Sequence, residues 1–139
     1  MPAFLLTGGC LCGGVRYEID APPVSASYCH CTRCQRRSGT AASAQARVAA
    51  GSFRIVAGPE LVREWVPGDH GWPKCFCSAC GSALWSRSPT EPGIVSVRLG
   101  TFDGDPAIRP QWHQFVAYAA SWEALPDDGL PRYDERPPS

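Results

Sequence analysis

Cys77-Ser-Ala-Cys80-Gly81 reads as a metal-binding knuckle: two sulfurs converge across a tight turn, and Gly81 supplies the positive φ that such a turn needs. One C-x-x-C element is half of a four-ligand site. Cys10-Leu-Cys12 can supply the other half, because residues i and i+2 of a strand face the same way. Zinc on Cys10, Cys12, Cys77 and Cys80 would tie the N-terminal strand to the middle of the chain. It would also add folding free energy that a small β domain can use.

The sequence around these half-sites is strand-like. Val15, Tyr17 and Ile19 alternate with Arg16, Glu18 and Asp20, the period of a half-buried strand. Phe53–Val56 and Leu61–Val66 flank Gly58-Pro59 and read as a hairpin. Ile94–Leu99 is a further strand. Ala41–Ala50 is rich in a helix former, yet Ala42, Ala44, Ala46 and Val48 alternate with polar residues, which favours strand. Residues 111–125 conflict: Trp112, Phe115, Val116, Ala119 and Trp122 fit helical spacing, while a strand over 113–118 followed by one helical turn is the alternative. A helical turn is expected at Thr32–Arg37. The fold class expected is mostly β, with about eight to ten short strands.

Composition narrows the class further. The chain has 139 residues, 13 Lys+Arg against 13 Asp+Glu, and 44% hydrophobic residues. This length suits one domain over 1–139, with a core of 5–135 and a frayed tail at 136–139. Zero net charge argues against a nucleic-acid partner, and the apolar content argues against disorder. No apolar run reaches the about 18 residues of a membrane span. Gly and Pro, at 14 each, exclude a long helical bundle. The N-terminus lacks the cationic and apolar regions of a signal peptide, so a cytoplasmic location is expected. There thiols stay reduced, and grouped cysteines more often bind metal than pair as disulfides.

Cys29-His-Cys31-Thr-Arg-Cys34 is a different cluster. Cys29 and Cys31 share a strand face, and Cys34 lies about one helical turn beyond Cys31. Three thiolates and an open position suit a zinc that takes an exchangeable ligand, such as water, a thiol or a carbonyl oxygen. The same residues are also compatible with a closed structural site, completed by His30, His113 or Cys75. A disulfide framework and a redox role are further alternatives; the latter lacks the βαβ context expected of a thioredoxin-type motif.

Three ordered motifs resemble the glutathione-dependent formaldehyde-activating family: Gly8-Gly-Cys-Leu-Cys-Gly-Gly-Val-Arg-Tyr17, Cys29-His-Cys-Thr-Arg-Cys-Gln-Arg-Arg-Ser-Gly39 and Cys77-Ser-Ala-Cys-Gly-Ser82. Trp112-His113, Ser121-Trp-Glu123 and Leu130-Pro-Arg-Tyr133 are similar to the family's closing segment, so the resemblance spans about 5–135. It implies a mostly β, zinc-ribbon-like β-tent of packed antiparallel sheets, a structural zinc on Cys10, Cys12, Cys77 and Cys80, and a second, activity-linked zinc on Cys29, Cys31 and Cys34. The second, with three cysteines, is expected to lose metal more readily. The resemblance also implies a carbon–sulfur lyase that condenses glutathione, or another small thiol, with an aldehyde. A centromere-associated branch of the family is not obviously enzymatic, so a zinc module for protein interaction is the alternative. Cys75 is extra to the family pattern.

Arg33, Arg36 and Arg37 follow the triplet, and Arg36 and Arg37 are candidate contacts for substrate carboxylates. His30 is expected on the face opposite the ligands, and His113 in packing. Trp65, Trp72, Trp85, Trp112 and Trp122 are expected mostly in the core. A thiol sensor that ejects zinc on oxidation is a weaker reading.

Overall fold

The computed structural model describes residues 4–91 and 93–138. Its strands are β1 (Leu6–Gly9), β2 (Arg16–Ile19), β3 (Ser25–Cys29), β4 (Ser43–Arg47), β5 (Phe53–Ala57), β6 (Val62–Trp65), β7 (Lys74–Cys77), β8 (Ala83–Arg87), β9 (Val95–Arg98) and β10 (His113–Gln114). One α-helix, α1 (Thr32–Ser38), and 3-10 turns at Pro59–Leu61, Leu99–Thr101 and Val116–Tyr118 complete the described elements. The strands form a three-stranded sheet, β1-β2-β5, and a seven-stranded sheet, β10-β3-β4-β9-β8-β7-β6. The pairing is antiparallel except for β10 with β3, which is parallel. No helix among the described residues is long and apolar enough to cross a membrane.

The core lies between the sheets. Val15, Tyr17 and Ile19 are fully buried, as their alternation predicts, and pack with Val48, Leu84, Trp85, Val95 and Val97. Tyr17 meets Trp85 and Phe102 edge-on at centroid separations of 6.2 and 5.9 Å, geometries that the ring quadrupole favours. In the large sheet, cross-strand partners share a face. Ala26, Ala46, Val97, Trp85 and Cys75 are successive partners on the core face. One residue further along, Ser25, Arg47, Ser96, Ser86 and Lys74 are successive partners on the opposite face. The period of two that hides one row thus presents a polar row on the other side.

Four expectations need correction. The segments around Gly58-Pro59 are not a hairpin: β5 joins β2 in the small sheet, and β6 joins β7 in the large one. Gly58, at φ 69°, and the 3-10 turn that follows redirect the chain from one sheet to the other. A Cβ at Gly58 would also run into the Gly14 carbonyl. Gly58→Ala should therefore cost about 2 kcal/mol or more, measured as a lowered unfolding midpoint in urea; an unchanged midpoint would count against this account of the crossover.

Residues 111–125 hold no α-helix but the two-residue β10 and one 3-10 turn, closer to the strand-and-turn alternative. Phe115 takes a left-handed conformation, φ 56°, which breaks helical propagation. The amides of His113, Phe115 and Val116 donate to the carbonyls of Pro131, Glu135 and Tyr133 at 2.9, 2.9 and 3.0 Å, so the closing segment replaces intrahelical bonds. The tail is not wholly frayed, since residues 136–138 line the cleft described below. Trp85 is in the core, but Trp65 and Trp122 are 53% and 68% exposed.

Candidate functional site

The first cysteine cluster forms where β1 and β7 end in turns. Gly13 and Gly81 take φ 78° and 79°, and their amides close the turns on the Cys10 and Cys77 carbonyls at 3.1 and 2.7 Å. This brings Cys10, Cys12, Cys77 and Cys80 together, with every sulfur within 4.8 Å of the others. Cys10 and Cys12 sulfurs are 3.5 Å apart, and Cys12 and Cys77 sulfurs 3.9 Å. Tetrahedral zinc with bonds of about 2.3 Å needs sulfurs about 3.8 Å apart, so the donor set fits zinc. All eight cysteines are free thiols. The Val15 amide donates to Cys10 Sγ at 3.2 Å. The Ser82 hydroxyl and neighbouring amides pull the Cys80 thiol down to about 5.

The second cluster joins the end of β3 to α1. Cys29 closes the strand, Cys31 caps the helix with its sulfur accepting from the Cys34 amide at 3.3 Å, and Cys34 follows in the first turn. Their three sulfurs also lie within 4.8 Å of one another. The Cys29 and Cys31 thiols donating to Cys34 pull it down to about 2, and those contacts push Cys29 up. Three thiols that share protons at one point, with Cys34 favoured as the thiolate, are the donor chemistry of a soft-metal site. Both cysteine groups could hold metal ions.

Cys75 and His113 are engaged elsewhere, and His30 is held through Nε2 while its buried Nδ1 has no hydrogen-bond partner among the described residues. No fourth Cys, His, Asp or Glu joins the triplet among the described residues. His30 is buried, with Nε2 2.8 Å from His113 Nδ1, and His113 Nε2 is 2.8 Å from Asp128 Oδ2. Asp128 accepts the Nε2 proton of His113, whose Nδ1 then accepts from His30. The buried Cys75 thiol faces Glu64 at 3.6 Å, and burial pushes it up to about 11.

The His30–His113–Asp128 chain braces the backbone between two of the clustered cysteines. His113→Phe would keep the stacking on Tyr28, where the rings are 4.9 Å apart and 20° from parallel. It would strand the His30 Nε2 donor, at a cost of about 1–3 kcal/mol. A fall of several degrees in unfolding temperature is expected, and an unchanged melt would show that the bond contributes nothing.

Cys29, Cys31 and Cys34 line a cleft of about 820 Å³, walled also by Trp72, Trp112 and Tyr118. Its charged lining among the described residues is Arg33, Arg47, Lys74, Arg98 and Arg136, with no Asp or Glu. The structure does not bring Arg36 or Arg37 to this lining. Arg36 is exposed on α1, and Arg37 points into the sheet, donating to the Cys75 and Trp85 carbonyls at 2.6 and 3.2 Å. Among the described residues, Arg98 donates only to Gln45 Oε1 and Ser86 Oγ, at 3.4 and 3.3 Å. Burial lowers the Arg98 guanidinium, and burial together with nearby Arg98 brings Lys74 down to about 8. Sequence reasoning missed Arg47, Lys74 and Arg98. A cation inside an alternating strand of small residues, and the only lysine of the chain, were the available signals.

Comparisons with known proteins bear on the family and the fold. A family model described as glutathione-dependent formaldehyde-activating enzyme matches residues 5–118. A Halomonas elongata protein named "Putative glutathione-dependent formaldehyde-activating enzyme" is 30% identical over 106 residues, 73% of this chain and 68% of that protein. A Rhodobacter sphaeroides protein of known crystal structure aligns with a TM-score of 0.61 over 91% of this chain and 98% of that one. At 22% identity, this last likeness is one of fold.

Proposed function

The chain belongs to the glutathione-dependent formaldehyde-activating family, and on that premise we propose that it is a zinc-dependent carbon–sulfur lyase joining a small thiol, such as glutathione, to an aldehyde. Zinc is proposed at two sites per chain, one structural on Cys10, Cys12, Cys77 and Cys80, and one reactive on Cys29, Cys31 and Cys34. The observation that carries the reading is the triplet in the wall of a large cleft, with no fourth Cys, His, Asp or Glu joining it among the described residues.

When bound, zinc supplies Lewis acidity and favours the thiolate form of a thiol near neutral pH. The chain's residues do the rest. Cys29, Cys31 and Cys34 would hold the zinc in the wall of the cleft, and Cys31 fixes its own sulfur by capping α1. In the net reaction the thiol sulfur bonds to the carbonyl carbon, and the thiol proton ends on the carbonyl oxygen; nothing is oxidised or reduced. The reverse reaction breaks the same carbon–sulfur bond. The cleft holds both reactants together, converting an already feasible bimolecular addition into a local one.

Exchange spectroscopy of an equilibrium mixture of glutathione, formaldehyde and their adduct tests this. Zinc-loaded protein should accelerate the exchange at least tenfold over buffer, and chelator-treated protein should not. Exchange at the buffer rate with fully loaded protein would overturn the reading.

A further inference from the structure

We propose that Lys74 is a covalent capture site for small aldehydes, its amine adding reversibly to the carbonyl and holding the aldehyde in the cleft as a carbinolamine and its imine. The choice of aldehydes as the carbonyl class rests on the proposed lyase function; the amine site itself is argued from its surroundings.

Of the 13 cationic residues of the chain, 12 are arginines and one is Lys74. An arginine would serve equally for charge. What it cannot do is give up its proton in a protein and act as a nucleophile, which a lysine does once it is withdrawn from water. The one exception to the use of arginine stands in the wall of the cleft that also holds Cys29, Cys31 and Cys34.

Alternation along β7 turns Cys75 and Cys77 to the core and Lys74 to the cleft-lining face. The cross-strand neighbours of Lys74 are Trp65 on β6 and Ser86 on β8. Two side chains of α1 reach this part of the sheet. Arg33 lies over the Trp65 ring at 5.9 Å, and Arg37 donates to Ser86 Oγ at 3.2 Å. The register between β7 and β8 slips just past Cys75, the kind of irregularity that re-aims the side chains beside it.

The acceptors around Lys74 are already engaged. Ser86 Oγ also accepts from Arg98 at 3.3 Å, and the Cys75 and Trp85 carbonyls accept from Arg37. Asp69, in the loop before β7, accepts from Arg33 at 2.7 Å and from the Gly71 amide at 3.1 Å. Glu64 of β6 is taken by Arg87 and the Cys75 thiol. Among the described residues, Lys74 forms no ion pair. The charged and titratable groups that act on it are Arg98 of β9 and Cys34, Arg37 and Arg33 of α1. Burial disfavours the ammonium, and three guanidinium groups outweigh one thiol, so Lys74 falls to about 8. Below that pH it is an ammonium without a lone pair; above it, a neutral amine.

The chemistry follows from the free lone pair. The nitrogen bonds to the carbonyl carbon, the carbonyl π bond breaks, and an amine proton ends on the oxygen. Loss of water from this carbinolamine gives the imine, and addition of water reverses both steps and releases the aldehyde. Nothing is oxidised or reduced. A desolvated lysine beside other cations is a general setting for such a nucleophile.

Reductive trapping on the zinc-loaded protein tests the site, with formaldehyde as probe, cyanoborohydride as hydride donor and Nα-acetyl-lysine in the same tube as reference. The hydride converts the imine to a methylamine, which peptide mass spectrometry reads at Lys74. At pH 7 about one Lys74 in ten is neutral, against about one free lysine in 2,500. A less basic amine is also less nucleophilic, so Lys74 should be methylated at least tenfold faster than the reference. That advantage should shrink to about threefold or less by pH 10, where the reference also loses its proton. Arg98→Met removes one of the cations and should cut the advantage at pH 7 at least threefold while leaving the rate at pH 10 unchanged. If Arg98→Met fails to fold, the two wild-type rates decide. A Lys74 rate equal to the reference at pH 7, an advantage undiminished at pH 10, or an unaltered rate at pH 7 in folded Arg98→Met would overturn the inference. Selective trapping at Lys74 by a protein that accelerates no thiol–aldehyde exchange would overturn the lyase reading and leave the amine site in place.

Discussion

Cys77→Ser is expected to abolish the native fold, while Cys75→Ala, two residues away, costs only about 1 kcal/mol. Both side chains are buried on β7. They differ in what they touch. Cys77 joins Cys10, Cys12 and Cys80, whereas Cys75 meets Glu64. The four-cysteine group is also where the turn after β1 in the small sheet meets the turn after β7 in the large one. A structural zinc contributes about 10–16 kcal/mol of binding free energy in small domains, and a whole domain is stable by about 5–15 kcal/mol. Losing one thiolate from the proposed zinc thus removes an amount comparable to the entire stability. Near-ultraviolet circular dichroism reads this directly through the Tyr17, Trp85, Phe53 and Phe102 cluster between the sheets. Cys77→Ser should lose the signal at room temperature and Cys75→Ala should keep it. A strong chelator should give wild type the spectrum of Cys77→Ser. Equal melting temperatures for the two variants would show that the four-cysteine group does not hold the fold.

The cysteine spacings were legible because their chemistry is local. C-x-x-C followed by Gly81 specifies its own turn, and α1 begins where a cap is available at Cys31. The buried row Val15, Tyr17 and Ile19 was legible for the same reason: periodicity states which residues share a face. It does not state which strand lies alongside. Phe53–Ala57 has the alternation of a strand whether its partner is β6 or β2, and the left-handed Gly58 decides for β2 through a backbone conformation that the hairpin reading had assigned to a simple turn. The same limit applies at 111–125. Helical spacing was present there, but partners for the backbone amides came from residues 131–135, and tertiary pairing overrode the pattern.

The cleft cations were hidden for a related reason. Arg47, Lys74 and Arg98 are far apart in sequence and meet only through the register of β4, β9, β8 and β7. Arg36 and Arg37 were conspicuous because they adjoin the triplet, yet a helix sends successive side chains in different directions. Arg36 consequently faces outward, and Arg37 reaches back to the carbonyls of β7 and β8. Proximity in sequence to the cysteines was a poorer guide than strand alternation with one cation among serines.

Cys31→Ser separates the proposed reactive metal from the fold. Serine is a strong helix N-cap, so its hydroxyl can accept from the Cys34 amide as the Cys31 sulfur does, and α1 should begin at the same residue. Cys31 is also only partly buried, so a polar oxygen there stays in contact with the cleft. What serine cannot supply is a soft anionic sulfur, since its hydroxyl remains protonated at neutral pH. With two thiolates left, the reactive position should lose its zinc while the four-cysteine group keeps its own. A metal's charge stabilisation of a polarised carbonyl is worth several kcal/mol, and each 1.4 kcal/mol is a factor of ten in rate. Acceleration of thiol–aldehyde exchange should therefore fall about a thousandfold or to the buffer rate, with the melting temperature within a few degrees of wild type and one zinc per chain by mass. Full acceleration at one zinc per chain would remove the triplet from the chemistry. A collapse of the melting temperature would instead assign Cys31 to the fold and place the loss of activity there.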